Sequence, residues 1–210
     1  MQNIVDINLR SFFTENDKVH FLTEVEKKIT LGFSPKRLTD FSTGRYCAMK
    51  ALEQLGIQDT IIPIGDEREP IWPEGIVGSI SHCDSLIGAI VAKSSDHISL
   101  GLDIEEIGRV TRDLWDLVFT ENEKNYLFRL SDEDILVQST AIFSIKEAFY
   151  KFQHPLTKTY LDFLDVEVAL PGLTQVKVLV ETIDASSIIR RNNVMYLIEN
   201  ECIISLIAAV

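Results

Sequence analysis

Two short segments carry most of the chemistry that can be read from this chain. Phe143-Ser144-Ile145-Lys146-Glu147-Ala148-Phe149-Tyr150-Lys151 holds a glutamate and two lysines, and Gly101-Leu102-Asp103-Ile104-Glu105 adds two more carboxylates. The second segment reads as a strand, which turns Asp103 and Glu105 to the same face. The first reads as a helix, which stacks Glu147 and Lys151 one turn apart. Three carboxylates and an amine can then converge. Hard carboxylate oxygens suit Mg²⁺, and a nearby lysine suits the phosphates such a metal carries, so the chemistry indicated acts on a phosphate ester. Taken singly, each signal has a plainer reading. An isolated Asp-x-Glu is a strand with its polar side in water, and Glu147 with Lys151 is a surface pair of an exposed helix.

The elements that must position these residues follow from periodicity. Phe12 to Phe33 reads as a loop followed by a helix, with Ser34-Pro35 as its end or a turn. Ser42-Thr43 offers a cap to a helix from Gly44 to Leu55, with Cys47, Ala48, Ala51, Leu52 and Leu55 on its buried face. Arg45 then lies at the helix start, where the positive end of the dipole attracts anions and an arginine adds to a phosphate site. A short strand is expected at Ile61 to Ile64, then strands at Gly78 to His82 and Ile87 to Ala92 around an Asp84-Ser85 turn.

The second half opens with a strand at Ile98 to Ile104. Helices are expected around Leu114 to Val118, from Glu121 to Leu130 behind a Thr120 cap, and from Ile135 to Phe152, closed off by Pro155. Strands follow near Val166 to Leu170, Val176 to Val180, Val194 to Ile198 and Ile203 to Ala209. Helix followed by strands occurs twice. The expected fold is α+β, with subdomains 1–95 and 96–210 and functional groups meeting at their seam.

Composition narrows the function. The chain has 210 residues, 46% hydrophobic and 25% charged, enough for a real core. Its net charge of −12 argues against nucleic-acid binding, so a phosphate ligand must be met by local clusters: Lys36, Arg37, Arg45 and Lys50 in the first half, Lys146, Lys151 and Lys158 in the second. Three cysteines, Cys47, Cys83 and Cys202, are odd in number and far apart, which excludes CxxC chemistry and leaves free, buried thiols. Met1 to Asp6 lacks the look of a signal peptide, and the run Ile203 to Val210 is too short to span a bilayer. A cytoplasmic protein with no membrane partner is expected.

In order along the chain, these motifs resemble the 4′-phosphopantetheinyl transferases of the surfactin- and enterobactin-synthase type. A GRxxAxxAL pattern matches Gly44 to Leu52, and WPxxxxGSxSH matches Trp72-Pro73 with Gly78 to His82. GxDxE matches Gly101 to Glu105, and FSxKEAxYK matches Phe143 to Lys151. The resemblance implies two similar α+β halves related by a pseudo-twofold, with coenzyme A between them. It implies Mg²⁺ on Asp103, Glu105 and Glu147, and Lys146 and Lys151 at the coenzyme A phosphates. Arg45, Arg37, Ser81 and His82 would serve the nucleotide's phosphates, and Arg68 is the candidate at the adenine. Glu123 would stand near the reacting groups.

The implied reaction moves phosphopantetheine from coenzyme A to a carrier-protein serine and releases adenosine 3′,5′-bisphosphate. Glu147 is the candidate base, Lys151 offsets charge on the leaving phosphate, and Glu123 assists. Peptide, polyketide and fatty-acid carriers all fit. Carriers are often acidic, so an apolar contact patch with local basic residues is expected to receive them. The resemblance favours a monomer. Two rivals stay open: a noncatalytic module that binds coenzyme A or a carrier protein, and a Mg²⁺-dependent phosphohydrolase.

Overall fold

Ser34 and Pro35 begin a helix rather than end one. In the computed structural model, which describes residues 8–15, 22–58, 60–180 and 192–209, the Ser34 hydroxyl accepts a hydrogen bond from Arg37 N and Pro35 stands in the first turn. There its missing N–H costs nothing. The helix α2 (Pro35–Glu53) comes after a short α1 (Glu24–Ile29), itself capped by Thr23 and Glu26. Arg45 therefore sits in the middle of α2, and the helix-start argument for its role falls. The buried face is the one expected: Cys47, Ala48, Ala51 and Leu52 are all inside.

That face packs on β1 (Arg10–Glu15) and β3 (Leu86–Lys93), with β2 (Ile76–His82) on the far side of β3. The sheet is antiparallel in the order β1-β3-β2. Strand β1 is not expected from its residues, because Arg-Ser-Phe-Phe-Thr-Glu shows no alternation; pairing with the buried β3 makes it a strand. The strand expected at Ile61 to Ile64 is reduced to a single bridge between Ile64 and Pro70. Pro63 within it has no N–H for a ladder.

The chain divides into two compact units, Met1–Ile98 and Ser99–Val210. The second contains a sheet in the order β4-β8-β7, built from β4 (Ser99–Glu106), β7 (Asn192–Glu199) and β8 (Cys202–Ala209), all antiparallel. The long helix α5 (Asp132–Thr157) lies across β4 and β8. Ile145, Phe149 and Phe152 of α5 meet Ile203 and Ile207 of β8 in the core. Pro155 does not close α5; it sits inside the last turn, and the chain leaves through Lys158 in the left-handed region at φ 53°.

Between β4 and α5 run α3 (Trp115–Val118) and α4 (Glu121–Leu127), and after α5 comes a two-stranded ladder, β5 (Val166–Val168) with β6 (Val176–Val178). Mixed helices and antiparallel sheets make this an α+β protein. Cys47 and Cys202 are buried thiols, and Cys83 is a half-buried one. No helix among the described residues is long and apolar enough to cross a membrane.

One close approach sets the site. A Cβ on Gly101 would stand 1.9 Å from the carbonyl oxygen of Ala148. Only glycine lets α5 come this near β4, and Ala148 is flanked by Glu147. The Ser99 hydroxyl also donates to Phe152 O at 2.7 Å.

Candidate active site

The close packing of α5 on β4 brings Lys151 to Asp103. Lys151 Nζ lies 2.7 Å from Asp103 Oδ1, with side-chain exposures of 30% and 4%. Glu105 faces the same region, and Arg109 approaches it only loosely, with Nε 3.7 Å from Oε2. Desolvation pushes the Glu105 carboxyl up to about 7, helped by the charges of Asp103 and Glu147 and opposed by Arg109 and Lys151. The Glu147 carboxyl is raised for the same reasons, burial first and then Asp103, against the pull of Lys151. The three carboxylates thus sense one another in a half-dry setting with too little positive charge.

Oxygen donors with surplus negative charge are the chemistry that fits Mg²⁺. The fit rests on donor type and charge. Among the described residues no three His, Cys, Asp or Glu side chains close into a group that could hold a metal ion. The Lys151 ammonium takes the cationic place beside Asp103.

Lys146 and Glu123 are placed elsewhere. Both side chains are fully buried, and Lys146 Nζ is 2.7 Å from Glu123 Oε2. Lys146 also donates to Val118 O and Phe163 O, each at 2.8 Å. Its three donors are spent, which leaves none for a phosphate. Glu123 accepts from Val168 N at 2.8 Å and from Thr120 N at 2.9 Å. Burial pushes Lys146 down and Glu123 up, and each partner's charge pulls the other back. The pair ties α5, the α3–α4 junction, Phe163 and β5 into one buried knot.

A cavity of about 190 Å³ opens beside that knot. Its wall includes Lys146, Glu147, Tyr150, Tyr160, Leu161 and Phe163. Nothing in the sequence marks Tyr160 or Phe163 as site residues, since they come after α5 in a stretch without a motif. Tyr150 lies inside the FSxKEAxYK motif, where its residue type alone assigns it no role.

In the first unit Arg45 is only 7% exposed. Desolvation lowers its pKa to about 10, with Glu26 opposing. Its guanidinium stacks on Phe41, 4.7 Å from the ring centroid, and Arg37 stacks on Phe33 at 4.0 Å. Ser81 points inward from β2 and His82 is exposed at the strand's end. Arg68 is exposed in a turn, at φ 68°, between Glu67 and Glu69. Lys36 pairs with Asp84 of the β2–β3 turn.

A long helix on an antiparallel sheet, with carboxylates and a lysine at their contact, defines an α+β protein whose second unit offers oxygen donors and an ammonium group together. Comparison with known proteins is specific. Residues 29–92 match the 4′-phosphopantetheinyl transferase N-terminal domain, and residues 99–196 match the 4′-phosphopantetheinyl transferase superfamily. The chain is 32% identical over 178 residues to enterobactin synthase component D of Salmonella typhi, covering 84% of this chain and 67% of that protein. It is 36% identical over 156 residues to the 4′-phosphopantetheinyl transferase Svp of Streptomyces mobaraensis, covering 74% of this chain. It is 37% identical over 133 residues to the 4′-phosphopantetheinyl transferase PptT of Mycobacterium tuberculosis, covering 63% of this chain. The matches span 63% of Svp and 58% of PptT. The chain belongs to the 4′-phosphopantetheinyl transferase superfamily.

Proposed function

We propose that this protein transfers the 4′-phosphopantetheine group from coenzyme A to a serine of an acyl, peptidyl or polyketide carrier protein, with Mg²⁺, and releases adenosine 3′,5′-bisphosphate. The observation that carries this reading is the charge cluster of Asp103, Glu105, Glu147 and Lys151, of which Glu147 also lines the cavity. Its carboxylates would hold the metal. Mg²⁺, when bound, stabilises negative charge on the leaving bisphosphate.

The serine hydroxyl attacks the phosphorus that carries pantetheine, and the bond from that phosphorus to the bridging oxygen breaks. A serine hydroxyl needs a base at neutral pH. Glu147, with its proton affinity raised by burial and by Asp103, suits that task better than an ordinary carboxylate. Lys151 is exposed enough to exchange Asp103 for the leaving phosphate. The largely apolar cavity beside Glu147 suits the pantetheine arm and limits competing water. Lys146 and Glu123 hold the wall of that cavity rather than the ligand's charge. The nucleotide's phosphates fall to Arg37, Arg45, Ser81 and His82 of the first unit, and Arg68 remains the candidate at the adenine.

The test is transfer itself. Incubated with coenzyme A and Mg²⁺, an apo carrier protein should gain the mass of phosphopantetheine, and Lys151→Met should slow that gain by about a hundredfold, the scale of one lost charged donor. Coenzyme A binding without any mass gain would instead identify a noncatalytic module. Hydrolysis of coenzyme A without a carrier adduct would identify a phosphohydrolase.

A further inference from the structure

Arg45 is a buried cation that no carboxylate among the described residues holds in a short ion pair. Its Nε has no hydrogen-bond partner among the described residues. Glu26 contributes its field, but Glu26 Oε2 accepts from the Thr23 amide and the Thr23 hydroxyl, each at 2.8 Å. What contacts the guanidinium is the face of the Phe41 ring.

The same arrangement occurs eight residues earlier. Arg37 lies over Phe33, and the rings of Phe33 and Phe41 meet edge to face, 5.9 Å apart at 87°. Arg37, Phe41 and Arg45 recur at every fourth position along one face of α2, and Phe33, just before the Ser34 cap, adds its ring at the start of the row. The result is a ladder of ring, cation, ring and cation.

A ring holds a guanidinium by its face, whereas a carboxylate holds it by its N–H edge. Face stacking fixes the plane of the group and leaves the edge donors for a ligand. Fixing it beforehand also lowers the entropy lost on binding. The two guanidiniums belong to residues two turns apart, about 12 Å along the helix axis. That separation suits two phosphate groups on one ligand better than a single anion.

We propose that Phe33 and Phe41 are positioning residues that hold Arg37 and Arg45 face-on as a two-station clamp for a ligand bearing two separated phosphates. The proposal rests on the coenzyme A reading and gives its nucleotide half a mechanism. It also explains why an aromatic ring, rather than any apolar side chain, stands at these two positions.

Leucine and tyrosine separate this role from packing. Leucine fills apolar space without a ring, and tyrosine keeps the ring. Two quantities are read in wild type, Phe41→Leu, Phe41→Tyr and Phe33→Leu: calorimetric affinity for adenosine 3′,5′-bisphosphate without metal, and the Arg45 Nε–Hε resonance. Phe41→Leu should weaken the nucleotide by about two- to fivefold, the worth of one cation–π contact, and should move the Arg45 resonance as the ring current is lost. Phe41→Tyr should restore both. Phe33→Leu, ahead of the α2 N-cap, should weaken the nucleotide by a similar factor through Arg37.

An Arg45 resonance unmoved by Phe41→Leu would overturn the positioning role. Equal losses in the leucine and tyrosine variants, with lowered melting temperatures, would reduce Phe41 to packing and overturn it as well. Wild-type protein that does not bind the nucleotide, while the Arg45 resonance still answers to the ring, would refute the coenzyme A reading and the ligand assigned to the clamp.

Discussion

Lys146→Met separates two roles that a motif lysine can have. In the structure Lys146 and Glu123 are a fully buried pair, and Lys146 also satisfies the carbonyls of Val118 and Phe163. Methionine fills similar space but leaves Glu123 charged and unpaired in the interior, with two carbonyls short of a donor. Removing one partner of a buried pair costs about 3–5 kcal/mol. That is a large part of a typical folding stability of about 5–15 kcal/mol. For a chain of 210 residues, at about 2–4 °C per kcal/mol, the melting temperature should fall by about 6–20 °C. Lys146→Met with Glu123→Leu should recover part of the loss, because no lone charge remains. Recovery should be incomplete, because Val118 O, Phe163 O, Val168 N and Thr120 N lose partners, at about 1–3 kcal/mol for each buried group left unmet. Thermal melts monitored by circular dichroism, beside coenzyme A calorimetry, decide the matter. A Lys146→Met protein that melts within about 2 °C of wild type, well short of that fall, yet binds coenzyme A poorly would refute the buried-knot reasoning. It would return Lys146 to the phosphates.

Glu105 should make stability pH-dependent in metal-free protein. Its folded-state value near 7 exceeds the ordinary 4.5, so the folded protein holds this proton more tightly than the unfolded chain. Its contribution is full below about pH 4.5 and fades as pH rises through 7. Denaturation of wild type and Glu105→Gln in chelator from pH 4 to 9 should therefore show wild type losing ground across that window, and parallel curves would contradict the assignment. Gly101→Ala should cost about 3 kcal/mol, the upper end of ordinary overpacking, because its Cβ would meet a backbone oxygen at 1.9 Å. A loss under about 1 kcal/mol on urea denaturation, below what overpacking usually costs, would mean that α5 does not need this approach.

Some of this protein is readable from its residues alone, because backbone geometry imposes it over a few positions. The apolar spacing of Cys47, Ala48, Ala51 and Leu52 marks the buried face of α2, and the run around Asp103 marks β4. Spacing alone assigns Glu147 and Lys151 to one helical face. Other features depend on partners distant in the chain. Arg10–Glu15 is a strand because β3 offers it a ladder, not because its residues alternate. Ser34-Pro35 can stop one helix or start the next, and the packing of residues 36–53 on β1 and β3 decides which. Lys146 and Lys151 show the limit most clearly. They share a residue type, a helix and a motif, yet stand about 140° apart around its axis. One turns inward to Glu123 and the carbonyls of Val118 and Phe163, and the other turns to Asp103 at the edge of solvent. Spacing sets the angle between two side chains on a helix. Which side is dry, and which charges wait there, is settled only when segments from elsewhere in the chain pack around it.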